Sequence, residues 1–158
     1  MLSRFLNPKN DLIFKRLFGS EANKDILLHF LNDIFARTTN PIEEVEFIKP
    51  ILDPEIKERR VSIVDVLCKD LEGNTFIVEM QCDVDTAFIK RAQYYASKVY
   101  ISQRGKGEAY KDLKSVTFLG ILDGTLFSDK KEYLSHHVIL DKNSYEHDLK
   151  DFSFSFLE

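Results

Sequence analysis

The stretch VSIVDVLCKDLEGNTFIVEMQCD, residues 61–83, contains two apolar runs separated by Leu71-Glu72-Gly73-Asn74. Val, Ile, Phe and Leu dominate both runs, and Gly and Asn mark the turn between them. The segment therefore reads as a β-hairpin with strands over about Val61–Lys69 and Thr75–Asp83. Asp65 and Glu79 fall in the middle of these strands. A carboxylate buried there without a partner costs several kcal/mol, or its pKa shifts until it is neutral. Two such acids on neighbouring strands make sense if a cation lies between them, and a divalent metal is the usual candidate.

Turn geometry decides whether the two acids can meet. If Leu71-Glu72-Gly73 is a three-residue loop, Gly73 takes the left-handed position such loops need. Asp70 then pairs with Asn74, and counting outward puts Asp65 opposite Glu79. Directly opposed residues share a face with Cβ atoms ~4.5–5.5 Å apart, and Gln81, two residues beyond Glu79, faces the same way. A two-residue Gly73-Asn74 loop sends the acids to opposite faces unless a bulge corrects it. The three-residue loop is the expected one.

At 158 residues, with 44% hydrophobic and 30% charged content, the chain reads as one soluble globular domain with a real core. No apolar run approaches the ~20 residues that span a bilayer, and no signal peptide is visible. Cys68 and Cys82 lie on the strand face opposite the acids and are expected as small core residues, in keeping with a reduced, cytoplasmic setting. They form no Cys-x-x-Cys, and the four histidines show no zinc-ligand spacing with them. His136 and His137 adjoin on a strand and face opposite ways. The net charge of −4 does not advertise a nucleic-acid binder. Local patches do: Lys90, Arg91, Lys98, Arg104, Lys106, Lys111 and Lys114 form one, Lys57, Arg59 and Arg60 another. Scattered solvated lysines are the competing reading of each.

Around the hairpin, Asn10 or Asp11 caps a helix to about Phe18, ended by Gly19, and a second helix runs from about Ala22 to Arg37. Glu44 to Lys49 reads as a short strand. A long helix over about Thr86–Gln103, closed by Arg104-Gly105-Lys106-Gly107, carries Phe88, Ala92, Tyr95, Ala96 and Val99 on one stripe. Ser115–Asp123 suits an interior strand, and Tyr133–Leu140 and Asp151–Leu157 further strands. The sum is a mixed α/β core. The ending at Leu157-Glu158 reads as a chain cut from a longer protein or as an expression scar.

Asp65, then Glu79-x-Gln81, after an acid-bearing first helix and before a basic one, resembles the PD-(D/E)XK nuclease superfamily. Within it the chain looks most like the recombination-promoting nuclease, or transposase-like, family. Four elements carry the likeness over about Lys9 to Leu157. They are Lys9-Asn10-Asp11-Leu12-Ile13-Phe14-Lys15-Arg16-Leu17-Phe18-Gly19, Val64-Asp65-Val66, Ile77-Val78-Glu79-Met80-Gln81, and Arg91 with Tyr94-Tyr95. The resemblance implies a restriction-endonuclease-like αβββαβ core and magnesium-dependent cleavage of DNA, with manganese or calcium as possible substitutes. It implies Asp65 and Glu79 as metal ligands, Asp11 as an additional acid, and Gln81 in the place of the superfamily's lysine. Magnesium polarises a phosphodiester and acidifies a bound water, and one or two carboxylates suffice to hold it.

Gln81 departs from the pattern, because it orients a water or a phosphate oxygen but supplies no charge. Arg91 or Lys98, from the following helix, is expected to replace the missing cation. Lys69 shares the face of Asp65 but lies roughly 13 Å along the strand at ~3.3 Å per residue. Bland alternatives stand beside these roles. The acids can pair with a buried arginine, Asp11 can be a helix cap, and Arg91 can simply neutralise the acid pair. A metal-dependent DNA endonuclease is the leading functional reading, and a homodimer would be needed for double-strand cleavage. A catalytically inactive nuclease-fold domain that binds DNA or regulates, and a protein-interaction module, compete with it.

Overall fold

A computed structural model of the protein describes residues 6–36, 40–50, 63–83, 85–104 and 109–158. The first helix, α1 (Asp11–Phe18), begins where Asn10 Oδ1 accepts the N–H groups of Leu12 and Ile13, at 3.1 and 3.3 Å. It stops at Gly19, whose N–H donates to the Lys15 carbonyl. Asn10, not Asp11, is thus the cap. The expected second helix opens as a 3-10 turn, Glu21–Asn23, before α2 (Lys24–Ile34). The Asn23 amide donates back to the Arg16 carbonyl, which turns the chain between the two helices.

Six strands follow, β1 (Val45–Phe47), β2 (Val66–Asp70), β3 (Thr75–Gln81), β4 (Val116–Leu122), β5 (Leu134–Val138) and β6 (Phe152–Leu157). The long helix α3 (Ala87–Ser102) joins β3 to β4. The strands form one sheet in the order β1-β2-β3-β4-β6-β5. β1, β2 and β3 form an antiparallel meander, β4 lies parallel to β3, and β6 parallel to β4. Parallel neighbours need a crossover connection, and α3 is that crossover. The αβββαβ order is therefore present, extended by the β5–β6 pair, which places the Phe-rich C-terminal strand between β4 and β5.

The hairpin has the expected register. Asp70 donates its N–H to the Asn74 carbonyl, Gly73 takes φ +87°, and Val66 pairs with Val78. The first strand is shorter than expected, starting at Val66. The reason is local. Asp65 Oδ2 accepts the Met80 N–H at 2.8 Å, so a side chain takes a ladder position from the backbone. Val64 and Leu67, three residues apart, both reach the core on the α3 side. Strict alternation therefore slips at Asp65.

Each face of the sheet buries its own core. On one side Phe88, Ala92, Ala96 and Val99 of α3 pack on Leu67, Ile77, Phe118 and Phe156. On the other, Phe14, Leu27 and Leu31 of α1 and α2 pack on Val66, Phe76, Val78 and Leu119. Gly120 is paired in register with Glu79, and a Cβ there would come within 2.7 Å of the Phe88 ring. A side chain at that position would push α3 off the sheet. Cys68 is a core residue as expected, its thiol pushed up to about 12 by burial. Cys82 is not. It lies exposed beyond the end of β3 and donates from Sγ to the Lys9 carbonyl. The Lys57–Arg60 patch, Lys106, Gly105, Gly107, Val61, Ser62 and Arg37 lie outside the described residues. Among the described residues no helix is long and apolar enough to cross a membrane.

Candidate active site

β2 starts, and β3, β4 and β6 finish, at one end of the sheet, where the opening turns of α1 and α3 also lie. The chain before α1 is fastened there. Lys9 Nζ lies 2.5 Å from Asp123 Oδ1 just past β4, and the Lys9 carbonyl accepts from Cys82 past β3. Asp65 and Glu79 sit at this end.

The two acids meet, as the hairpin register requires. The Asp65 backbone N–H hydrogen-bonds the Glu79 carboxylate, and the Asp65 charge is felt by Glu79. Glu79 is only 7% exposed, and its Oε1 is buried without a hydrogen-bond partner among the described residues. Burial first, then the Asp65 charge, push its carboxyl from 4.5 to about 8, against the opposing effects of Arg91, the Asp65 N–H and Lys15. Burial also raises Asp65, whose side chain is 9% exposed, against the Met80 N–H and Lys15. Orphaned polar atoms at this depth are rare, because leaving one unpaired costs on the order of 1–3 kcal/mol.

The cation beside Asp65 is one the sequence reading did not assign. Lys15, one turn into α1, places Nζ 3.1 Å from Asp65 Oδ1 and 3.1 Å from Asp11 Oδ1. Burial lowers its pKa, but the hydrogen bonds to Asp11 and Asp65 prevail and hold the ammonium charged. A sequence signal existed. Asp11 and Lys15 are four residues apart, on one face of a short helix that opens with its acid. Asp11 itself is largely exposed, and Lys15 bridges it to Asp65. Among the described residues no three His, Cys, Asp or Glu side chains are grouped to hold a metal, so the acid set here is the pair Asp65 and Glu79.

Arg91 approaches from α3. Its charge favours the ionised form of Glu79, its guanidinium carbon lies 5.0 Å from the centre of the Phe88 ring, and Nη2 donates to Gln81 Oε1. Gln81 in turn donates from Nε2 to the Asp83 carbonyl at 2.5 Å. The amide expected in the lysine position is thereby fixed at both ends. Lys98 lies one step away. Its ammonium caps the Tyr94 ring at 4.6 Å, and its charge reaches the acids' surroundings through Tyr95. Tyr95 also faces the site, its hydroxyl raised by burial and by Glu79. Lys69 is engaged elsewhere, 3.1 Å from Glu46 on β1.

The donor set suits a hard divalent ion. Two carboxylates, one on β3 and one tied to β3 just before β2, provide as many protein ligands as magnesium ordinarily takes. Both carboxyls are raised by burial, and a cation arriving between them would favour their ionised forms.

Comparison with known proteins agrees with this architecture. The model of the PD-(D/E)XK nuclease family transposases matches residues 8–158, nearly the whole chain. No curated protein and no solved structure is matched. The chain belongs to the PD-(D/E)XK nuclease family transposases.

Proposed function

We propose that this member of a nuclease-type family is a magnesium-dependent DNA endonuclease whose ion is held by Asp65 and Glu79. The observation that carries the reading is the buried, unpartnered Glu79 Oε1 beside a second buried carboxylate. An acid pair kept only for packing would have both sets of oxygens satisfied. Bound magnesium would supply Lewis acidity toward the phosphodiester and an acidified water.

The chain's own residues do the rest. Asp65 is held by the Met80 N–H at 2.8 Å, so its position is set by the sheet and not by a flexible loop. Arg91 fixes the Gln81 amide, which can orient a water or a phosphate oxygen but cannot offset charge. Phe88 and Ala92 belong to the apolar core that α3 builds on this face of the sheet. Substrate reaches the site from the open sheet end, where Lys90 and Lys98 lie on the same helix as Arg91 and offer phosphate contacts. Cleaving both strands of a duplex would take two such sites, and hence a homodimer.

The test is supercoiled-plasmid nicking with and without magnesium or manganese, for the wild type, Asp65→Ala and Glu79→Ala. Metal-dependent nicking that disappears in both variants is expected. Nicking that survives Asp65→Ala would refute the assignment. The Lys15–Asp65 ion pair favours a second reading, an inert nuclease fold that binds DNA. In that case DNA binding would weaken with salt and no metal would produce cleavage.

A further inference from the structure

We propose that Lys15 is the cation of this site: it holds Asp65 in competition with a divalent ion and supplies to a bound phosphate the charge that Gln81 lacks. The inference rests on the metal-dependent reading above and departs from the sequence expectation, which gave that role to Arg91 or Lys98.

Three observations converge on Lys15. Arg91 is committed to Gln81 and to the Phe88 ring, and Lys98 lies over Tyr94. Arg91 thus spends its hydrogen bond on the Gln81 amide. Lys15 contacts the acid pair directly, its Nζ 3.1 Å from Asp65 Oδ1. It also comes from α1, on the opposite layer from α3, so its ammonium lies at the acid pair without passing through the α3 core. Finally, its stem is short of full burial, with the side chain 39% exposed. A lysine ammonium on four flexible carbons can turn from a carboxylate to a nearby anion without a backbone change.

Competition follows from the chemistry of the shared oxygen. Asp65 Oδ1 is within bonding distance of an ammonium, and Oδ2 is taken by the Met80 N–H. A divalent ion binding Asp65 therefore displaces the ammonium from at least part of its contact. Asp11, also 3.1 Å from Lys15 Nζ, keeps the displaced lysine at the mouth of the site and prevents its loss to solvent. Asp11 is then a positioning residue for Lys15, not a metal ligand, which gives a separate role to the acid the family resemblance suggested.

The two halves of the proposal move in opposite directions, which makes it testable. Manganese binding is measured directly, from the loss of the free-ion paramagnetic resonance signal, alongside plasmid cleavage. Lys15→Met is expected to bind manganese on the order of tenfold more tightly, since a competing charge is gone. It is expected to cleave on the order of 100-fold more slowly, since a transition-state contact is gone. Lys15→Arg should keep wild-type metal affinity and recover part of the rate.

If Lys15→Met does not fold, the wild type still decides. The ¹⁵N-labelled Lys15 ammonium resonance should shift and lose exchange protection on saturation with magnesium, and an unchanged resonance would overturn the proposal. A wild type that binds metal and cleaves, with Lys15→Met binding no tighter, overturns the Lys15 role alone. A wild type that neither binds metal nor cleaves overturns the nuclease reading, and the Lys15 role with it.

Discussion

The β2–β3 hairpin carries a carboxylate near each end, and the two ends are built in opposite ways. At the turn, Asp70 is satisfied by three donors. Oδ1 accepts the N–H groups of Glu72 at 3.0 Å and Asn74 at 2.9 Å, and Oδ2 accepts the Asn74 amide at 3.0 Å. At the open end, Glu79 lies deeper and leaves Oε1 without a partner among the described residues. Burial there drives the Glu79 carboxyl to about 8. One acid holds the backbone in a turn; the other is held by the backbone in an unfavourable place. Dissatisfaction concentrated at one end of an otherwise well-bonded hairpin is what the proposed metal site would relieve.

The largest expected effect comes from exchanging the two acids' fates. Glu79→Gln removes the need to protonate or bury a charge, so the metal-free protein should gain about 2–3 kcal/mol at pH 7 while nicking activity disappears. Asp70→Ala should do the reverse, losing about 2 kcal/mol through three broken hydrogen bonds, with the folded fraction cleaving normally. Urea unfolding and plasmid nicking on both variants check this. Should Glu79→Gln lose stability, the carboxyl is a structural hydrogen-bonding group and the contrast between the two ends fails.

The same contrast has a pH signature. In the unfolded chain Glu79 ionises near 4.5, and in the folded, metal-free protein near 8. Between these values the folded state binds the extra proton, so stability is highest below about pH 4.5 for this group and falls as pH rises toward 8. Asp65, also raised, adds to the same slope. At about 1.4 kcal/mol per pH unit for one proton, the loss across the window amounts to several kcal/mol. Denaturation in EDTA at pH 5.5 and 8.5 should show the fall in the wild type and a flatter profile in Glu79→Gln. Millimolar magnesium should restore stability more at pH 8.5 than at 5.5, because the proposed ion would bind the ionised carboxylates. Equal rescue at both pH values would mean the ion does not engage Glu79.

How much of this was legible in the sequence depends on distance along the chain. The hairpin, its register and the facing of Asp65 and Glu79 follow from a turn of a few residues, because a strand's period of two carries the count outward. The order of helices and strands was readable for the same reason, from local periodicity. Lys15 was not. Its approach to Asp65 is set by how α1 seats Phe14 on the far side of the sheet, a tertiary outcome no spacing encodes. The slip at Asp65 was hidden too, since a side chain substituting for a backbone acceptor leaves no trace in hydrophobic pattern. Cys82 was misjudged because the strand was extended two residues past its end. Beyond that end, alternation no longer implies a buried face.

The smallest effect tests whether the two ends of the hairpin are mechanically linked. Gly73 holds φ +87°, and a Cβ there would come 3.3 Å from the Lys114 side chain. Gly73→Ala should cost about 1–2 kcal/mol, since a left-handed conformation disfavours any Cβ. Slippage to the two-residue Gly73-Asn74 loop would carry Asp65 to the wrong face. Two independent ladders oppose that slip. β3 is pinned along its length to β4, from Thr75–Val116 to Gln81–Leu122, and Phe47 of β1 pairs with Cys68 of β2. Manganese affinity and nicking by the folded fraction should therefore remain at wild-type values in Gly73→Ala, with only the denaturation midpoint lowered. Metal affinity falling along with the midpoint would show that the turn sets the acid pair's register, and that the sheet around it does not.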